Sequence, residues 1–342
     1  MLDVPTLDPV LVVAAQFGLD KCEISDGLPL APANEIATLR LALRDHLTGF
    51  VALSESAGEI KLSDIGKAAL RNQWHDELLA SVVLESFAIR TAEILNDAGA
   101  RWLLTKGPAL AHLDYPDPSM RTFGDIDIVI HPRDWDLACR VLTDHDYLRE
   151  VPAISTMYDN RFGKGATFVS GPLELDLHRR FAIGRFGVTS YMEEVFENTT
   201  TVQFGGVRVP TMSPENRLLH ACFHASLGGF RYLRAFRDVA QLTLVSGADC
   251  EVTMQTARRW RAEAVVVTAL TESWSRLQLV EHQFVTSVGR QYVSRGDRRS
   301  LQIFRNDAGF TSEALTSIHR LAPWTSAAYI LTLGRHRLRR RR

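Results

Sequence analysis

Cysteine is scarce in this chain, four in 342 residues. Cys22, Cys139, Cys222 and Cys250 stand far apart and form no paired motif, which argues against a disulfide framework and a cysteine-built zinc site. Long apolar runs are missing too. The longest near the C-terminus, residues 327–333, is too short to cross a bilayer. The opening Met1-Leu-Asp-Val-Pro lacks the basic stretch and apolar core of a signal peptide. These absences predict a cytoplasmic protein without a transmembrane segment. Nor does one charge dominate: 39 Lys and Arg face 40 Asp and Glu, a formal net charge of −1. Six of the 39 fall in the last eight residues, so the body carries 33 basic against 40 acidic groups, a net −7. Such a body is not coated for nucleic acid. The basic end, residues 335–342, reads as a solvated tail, with contact to RNA or an anionic membrane as the alternative. No internal repeat is present.

What the chain does have is concentrated between Trp102 and Ile130. There Arg121-Thr-Phe-Gly-Asp-Ile-Asp-Ile-Val-Ile130 sets two aspartates inside an alternating apolar run. On a strand, residues two apart share a face, so Asp125 and Asp127 project together while Ile126, Ile128 and Ile130 point the other way. Two like charges side by side repel, and an interior does not tolerate them unpaired. A divalent cation between them removes both problems. Further on, residues 167–169, a turn at Ser170-Gly171-Pro172 and residues 173–178 read as a hairpin. Its second strand places Leu173, Leu175 and Leu177 on one face and Glu174, Asp176 and His178 on the other. Three carboxylates on two strands suffice for Mg²⁺, which takes hard oxygen ligands and substrate phosphates.

Upstream, residues 102–105 read as a short strand, Gly107 as a close turn, and Pro108 as the first residue of a helix. A helix start offers free N–H groups to anions, and Lys106 adds a positive charge. Arg121 fits either a phosphate contact or a pairing with Asp125 or Asp117. His178 fits the orientation of a carboxylate, contact with substrate, or a structural role. His220 and His224 lie four apart on a helix running from Ser213-Pro214 to Gly228-Gly229, a zinc-compatible spacing. With Ala221, Cys222 and Phe223 around them, packing or substrate lining is the preferred reading. Arg234 and Asp238, also four apart, read as a local helix pair.

Taken in order, Lys106-Gly107-Pro108, Arg121, Gly124-Asp125-Ile126-Asp127 and Leu175-Asp176-Leu177-His178 resemble the uncharacterised nucleotidyltransferase family of the polymerase-beta-like superfamily. The likeness continues more weakly through Pro214-Glu215-Asn216-Arg217-Leu218-Leu219-His220 and Leu233-Arg234-Ala235-Phe236-Arg237-Asp238, covering about residues 80–245. The resemblance implies a small mixed sheet flanked by helices, Mg²⁺ (with Mn²⁺ as an alternative) and a nucleoside triphosphate. By it, Asp125 and Asp127 are metal ligands, and Asp176 is the third carboxylate and base. Lys106, Gly107, Arg121 and His178 would meet the substrate. One departure stands out: the superfamily opens its phosphate-binding helix with Gly-Ser, where this chain has Lys106-Gly107, and a serine hydroxyl is lost.

Strands cluster mid-chain with helices outside, so the expected class is α+β, a nucleotidyltransferase core between helical N- and C-terminal regions. Residues 1–74 form the N-terminal region, 75–210 the catalytic core, 211–334 the helical C-terminal region and 335–342 the tail. In the first region, residues 50–53 and 59–62 are expected to pair as a hairpin between helices at 10–17, 36–47 and 64–71, either a winged-helix module or a helical cap. A long helix is expected over 75–98. The expected activity is transfer of a nucleoside monophosphate from a triphosphate to an acceptor that no motif identifies: small molecule, peptide, protein or RNA. The alternatives are a non-catalytic nucleotide- or partner-binding protein on the same fold, and an RNA-binding regulator.

Overall fold

The computed structural model of the chain describes residues 8–20, 28–150, 163–228, 232–290, 293–298 and 301. The expectations for Cys22, the apolar run at 327–333 and the basic tail lie outside these residues. Among the described residues no helix is long and apolar enough to cross a membrane.

The N-terminal region begins with α1 (Pro9–Gln16), where Asp8 accepts from the Val10 N–H and proline takes the first turn. The strand β1 (Leu28–Pro29), α2 (Pro32–Arg44), α3 (Thr48–Ser56) and β2 (Ile60–Lys61) follow. The expected hairpin does not form. Residues 50–53 lie within α3, with Phe50 and Val51 fully buried, and β2 pairs in parallel with β1 instead. A short apolar run fits a buried helix as well as a strand, and here burial against α1 decides. The described residues of this region are helices with one short parallel strand pair.

The helix α4 (Asp64–Asp97) runs unbroken for 34 residues. Sequence periodicity divides it at residues 72–74, but Asn72, Gln73 and Trp74 include no glycine or proline to stop it. Ser63 caps it by accepting from the Gly66 N–H, and Glu35 in turn accepts from the Ser63 N–H and hydroxyl at 2.6 and 2.5 Å.

The remaining strands are β3 (Trp102–Thr105), β4 (Ile126–Ile130), β5 (Leu148–Arg149), β6 (Gly165–Ser170), β7 (Leu173–His178), β8 (Thr199–Phe204) and β9 (Val207–Met212). They form one mixed seven-stranded sheet in the order β5-β6-β7-β4-β3-β9-β8. The helices are α5 (Gly107–Leu113), α6 (Trp135–Asp144), α7 (Gly184–Val188), α8 (Pro214–Leu227), α9 (Leu233–Leu244), α10 (Cys250–Arg259), α11 (Glu263–Arg276) and α12 (Gln283–Gly289). The class is α+β, a mixed sheet flanked by helices, as expected.

Each sheet face buries its own core. Ile126, Ile128, Ile130, Leu175 and Leu177 pack with Leu84, Phe87, Ala88 and Leu95 of α4. On the opposite face Leu103, Val129 and Met212 join the apolar side chains of α8, α9 and α11. Period-two alternation thus sorts β4 and β7 between a dry face and a face that carries charge.

The N-terminal cap closes against the loop before β4 through Gly49 of α3. A Cβ there would lie 2.6 Å from the Ser119 carbonyl oxygen and 2.8 Å from that of Met120, both backbone atoms. Gly49→Ala therefore forces the cap away from that loop, and chemical denaturation should show a loss of about 1–3 kcal/mol. An unchanged midpoint would mean that the contact is not tight.

Candidate active site on one sheet face

Register places the carboxylates. Parallel pairing of β4 with β7 sets Asp127 beside Asp176 and Val129 beside His178, while antiparallel pairing with β3 sets Thr105 beside Asp127. Lys106 follows β3 directly, so its side chain starts next to Asp127. One ligand atom each from Asp127, Asp176 and His178 lie within 4.8 Å of one another, the only such metal-capable group among the described residues. Asp125 lies on the bend before β4. It is outside that tight group, although it feels the charges of Asp127, Lys106 and Asp176.

Asp127 is 2% exposed and one of its oxygens, Oδ1, accepts twice: from Lys106 Nζ at 2.7 Å and from His178 Nε2 at 2.5 Å. Burial alone would raise its pKa, but the Lys106 charge and the His178 hydrogen bond hold it well below the usual carboxylate range. Asp125 moves the other way, raised by burial and by the Asp127 charge. With Asp127 ionised, His178 Nε2 must carry the hydrogen, and Nδ1 is left as an acceptor. That buried nitrogen has no hydrogen-bond partner. Burial and the nearby Lys164 charge keep His178 neutral more readily than an ordinary histidine. Asp176 accepts from the Thr167 hydroxyl at 2.6 Å across the hairpin. Carboxylate oxygens from two strands fit a hard divalent cation such as Mg²⁺ or Mn²⁺.

Lys106 adopts φ 40°, ψ −141°, and Gly107 follows at φ 26°. A side-chain-bearing residue held with positive φ costs on the order of 1–3 kcal/mol and marks a position the surroundings determine. Strain here aims the lysine at Asp127 and starts α5 at Gly107.

Arg121 is placed differently from either of its sequence readings. It is buried, and its guanidinium forks onto Asp238, with Nε–Oδ1 and Nη2–Oδ2 both at 2.8 Å. Its third nitrogen, Nη1, reaches the Gly107 carbonyl at 3.4 Å. Tyr115 donates to Asp238 at 2.8 Å. Asp238, read from sequence as a local partner of Arg234, instead ties α9 to the loop that carries the site. Arg121 and Asp238 stay charged against their burial because each is the other's counter-ion. A second fork, Arg217 Nε and Nη2 to Asp114 at 2.8 Å each, fastens α8 to the end of α5.

His220 and His224 lie on the α8 side. Burial and the Lys106 charge keep both neutral, and His220 meets Phe181 edge-on at 4.7 Å between ring centres. Among the described residues they join no metal-capable group.

Three contributors escaped the sequence reading. Lys164 precedes β6 in Gly163-Lys-Gly165; it keeps solvent exposure, yet crowding by protein and the Lys106 charge lower its pKa. A lysine between glycines at a strand start was the available signal. His46, at φ 50°, lies over Gly124, where an added Cβ would come within 3.2 Å of its ring. Glu77 accepts from Thr48 and, at 2.5 Å, from Thr122, linking the cap to the same loop. Neither His46 nor Glu77 belongs to a motif.

Comparison with known proteins gives the family. A family model described as uncharacterised nucleotidyltransferase matches residues 34–273. The chain belongs to that family. No curated protein matches it. Among solved structures, an antigenic nucleotidyltransferase-like protein from Paracoccidioides brasiliensis is similar at 17% identity and a TM-score of 0.33. The match covers 62% of this chain and 96% of that one.

Two measurements test the surroundings of the site. Asp238→Ala leaves Arg121 buried without its counter-ion and should cost about 3–5 kcal/mol in urea unfolding. Glu263→Ala, which breaks the surface pair with Arg258 at 3.0 Å, should cost less than about 1 kcal/mol; equal losses would refute the distinction. The second is a pH profile. Burial, with the Arg234 and Arg121 charges, lowers the His46 pKa to about 4, against about 6.5 when unfolded. The folded value is depressed, so His46's contribution is complete above pH 6.5 and is lost as pH falls towards 4. His46→Asn, which tolerates the positive φ, should remove one proton's slope, about 1.4 kcal/mol per pH unit between pH 6 and 4.5. Parallel profiles for variant and wild type would place His46 in solvent.

Proposed function

We propose that this protein is a Mg²⁺-dependent nucleotidyltransferase that moves a nucleoside monophosphate from a triphosphate to an acceptor and releases pyrophosphate. The observation that carries this reading is the Asp127–Asp176 register on neighbouring parallel strands, with Lys106 at the adjoining helix start, in a chain of this family. Asp125, Asp127 and Asp176 would hold the metal. Bound there, Mg²⁺, or Mn²⁺ in its place, supplies the positive charge that steadies the crowded α-phosphate and favours the attacking oxygen.

Asp176 faces the acceptor hydroxyl, polarises it and takes its proton as the oxygen–phosphorus bond forms. The bond from the α-phosphorus to the bridging oxygen breaks, and pyrophosphate leaves with that electron pair. Lys106 and the N–H groups at Gly107 hold the triphosphate; Arg121 keeps Gly107 in position through its carbonyl contact. His178 fixes the Asp127 carboxylate and borders the substrate. Neutral His220 and His224 line the far side without competing for the metal.

Calorimetry tests the reading without knowledge of the acceptor. Each of the four nucleoside triphosphates is titrated with Mg²⁺ into wild type and into Asp125→Asn, Asp127→Asn. The expected result is metal-dependent binding of at least one triphosphate, weakened more than about tenfold in the double variant. Failure of all four to bind wild type would overturn the assignment.

A further inference from the structure

We infer that Lys106 is an exchangeable counter-ion: it neutralises Asp127 in the metal-free protein, yields that carboxylate to the metal, and moves to the triphosphate. The inference rests on the metal site proposed above, and goes beyond it by giving Lys106 two successive partners.

Three observations carry it. The Lys106 ammonium stands 2.7 Å from Asp127 Oδ1, on a carboxylate of the metal-capable group that Asp127 forms with Asp176 and His178. That oxygen also accepts from His178, so both of its lone pairs are committed. And Asp127 is 2% exposed while Lys106 retains 17%, so the lysine can leave towards solvent but the aspartate cannot. A dication drawn to Asp127 meets a cation already there, and like charges at that separation in a buried setting repel strongly. The metal must displace the ammonium. A lysine is suited to this exchange, because its charge sits at the end of a flexible four-carbon stem. The backbone holds the stem's origin at the start of α5, so the freed ammonium stays within reach of whatever anion accompanies the metal. In a glycine or serine at this position no charge would be set free.

The consequence is a pair of effects of opposite sign, which a purely structural lysine would not produce. Lys106→Met keeps an unbranched four-atom stem and removes the charged end; Lys106→Arg keeps the charge. Mn²⁺ alone is titrated into wild type, both variants, and Asp125→Asn, Asp127→Asn, by calorimetry and by the loss of free-Mn²⁺ resonance signal, with thermal unfolding as the folding control. Lys106→Met should bind Mn²⁺ at least about tenfold more tightly than wild type, because no charged hydrogen bond has to be broken first. Lys106→Arg should resemble wild type, and the double aspartate variant should not bind. In contrast, Lys106→Met should bind Mg²⁺–triphosphate more weakly than wild type by about the same factor. Equal or weaker Mn²⁺ binding by folded Lys106→Met would overturn the exchange while leaving the metal site standing. No Mn²⁺ binding by either wild type or Lys106→Met would overturn the site and the exchange together.

Discussion

Two carboxylates facing each other across neighbouring strands impose the central constraint on this molecule. Asp127 and Asp176 share a register position on β4 and β7, and Asp125 adds a third charge close by. A sheet interior cannot hold such a group without compensation. Much of the surrounding design follows from that need. Lys106 and His178 converge on one oxygen of Asp127, and Lys164 contributes a further positive charge from the hairpin. Nearby histidines are kept neutral by burial, so they neither dilute nor add to the balance. The opposite face of the same strands is wholly apolar, which leaves the charges one direction in which to act.

Charge also fastens the sheet to the helices. The forks Arg121–Asp238 and Arg217–Asp114 are buried, bidentate and joined by further bonds to Gly107, Tyr115 and the Met212 carbonyl. Buried ion pairs add little net stability relative to apolar packing, because desolvation offsets attraction. Their two-point geometry does something packing cannot: it fixes orientation. Both forks end on α5 or the loop that leads to β4, the two segments from which Lys106, Gly107 and Asp125 project. The helical region thereby holds the site's edges in place.

How much of this was legible in the sequence depended on distance along the chain. A short apolar run gave β3, alternation gave β4 and the β6–β7 hairpin, and the Ser213-Pro214 signal gave the start of α8, because each rule is local. The family assignment followed from motifs in order. Residues 50–53 were misread because a four-residue apolar run carries no period of its own; only the partner it packs against settles helix or strand. Asp238 was misread for the opposite reason. An acceptable local partner, Arg234, stood one turn away, whereas the real one lies 117 positions upstream. His46 and Glu77 act through folding of the cap onto the site and belong to no motif, so only the tertiary contact exposes them.

The Lys106-Gly107 turn brings these threads together. A glycine at position 106 would take the positive φ at no steric cost. This chain instead places a lysine in the strained position and a glycine one residue on, where φ is again positive. Such strain persists only if the surroundings over-determine it. Here they do so twice: the Lys106 ammonium is fixed by Asp127, and the Gly107 carbonyl by Arg121. Releasing the first contact leaves the second intact. The backbone of the turn is therefore held by α9 through the Arg121–Asp238 fork, independently of where the lysine side chain points. A positively charged side chain can change partners at this site without the helix start beneath it having to move.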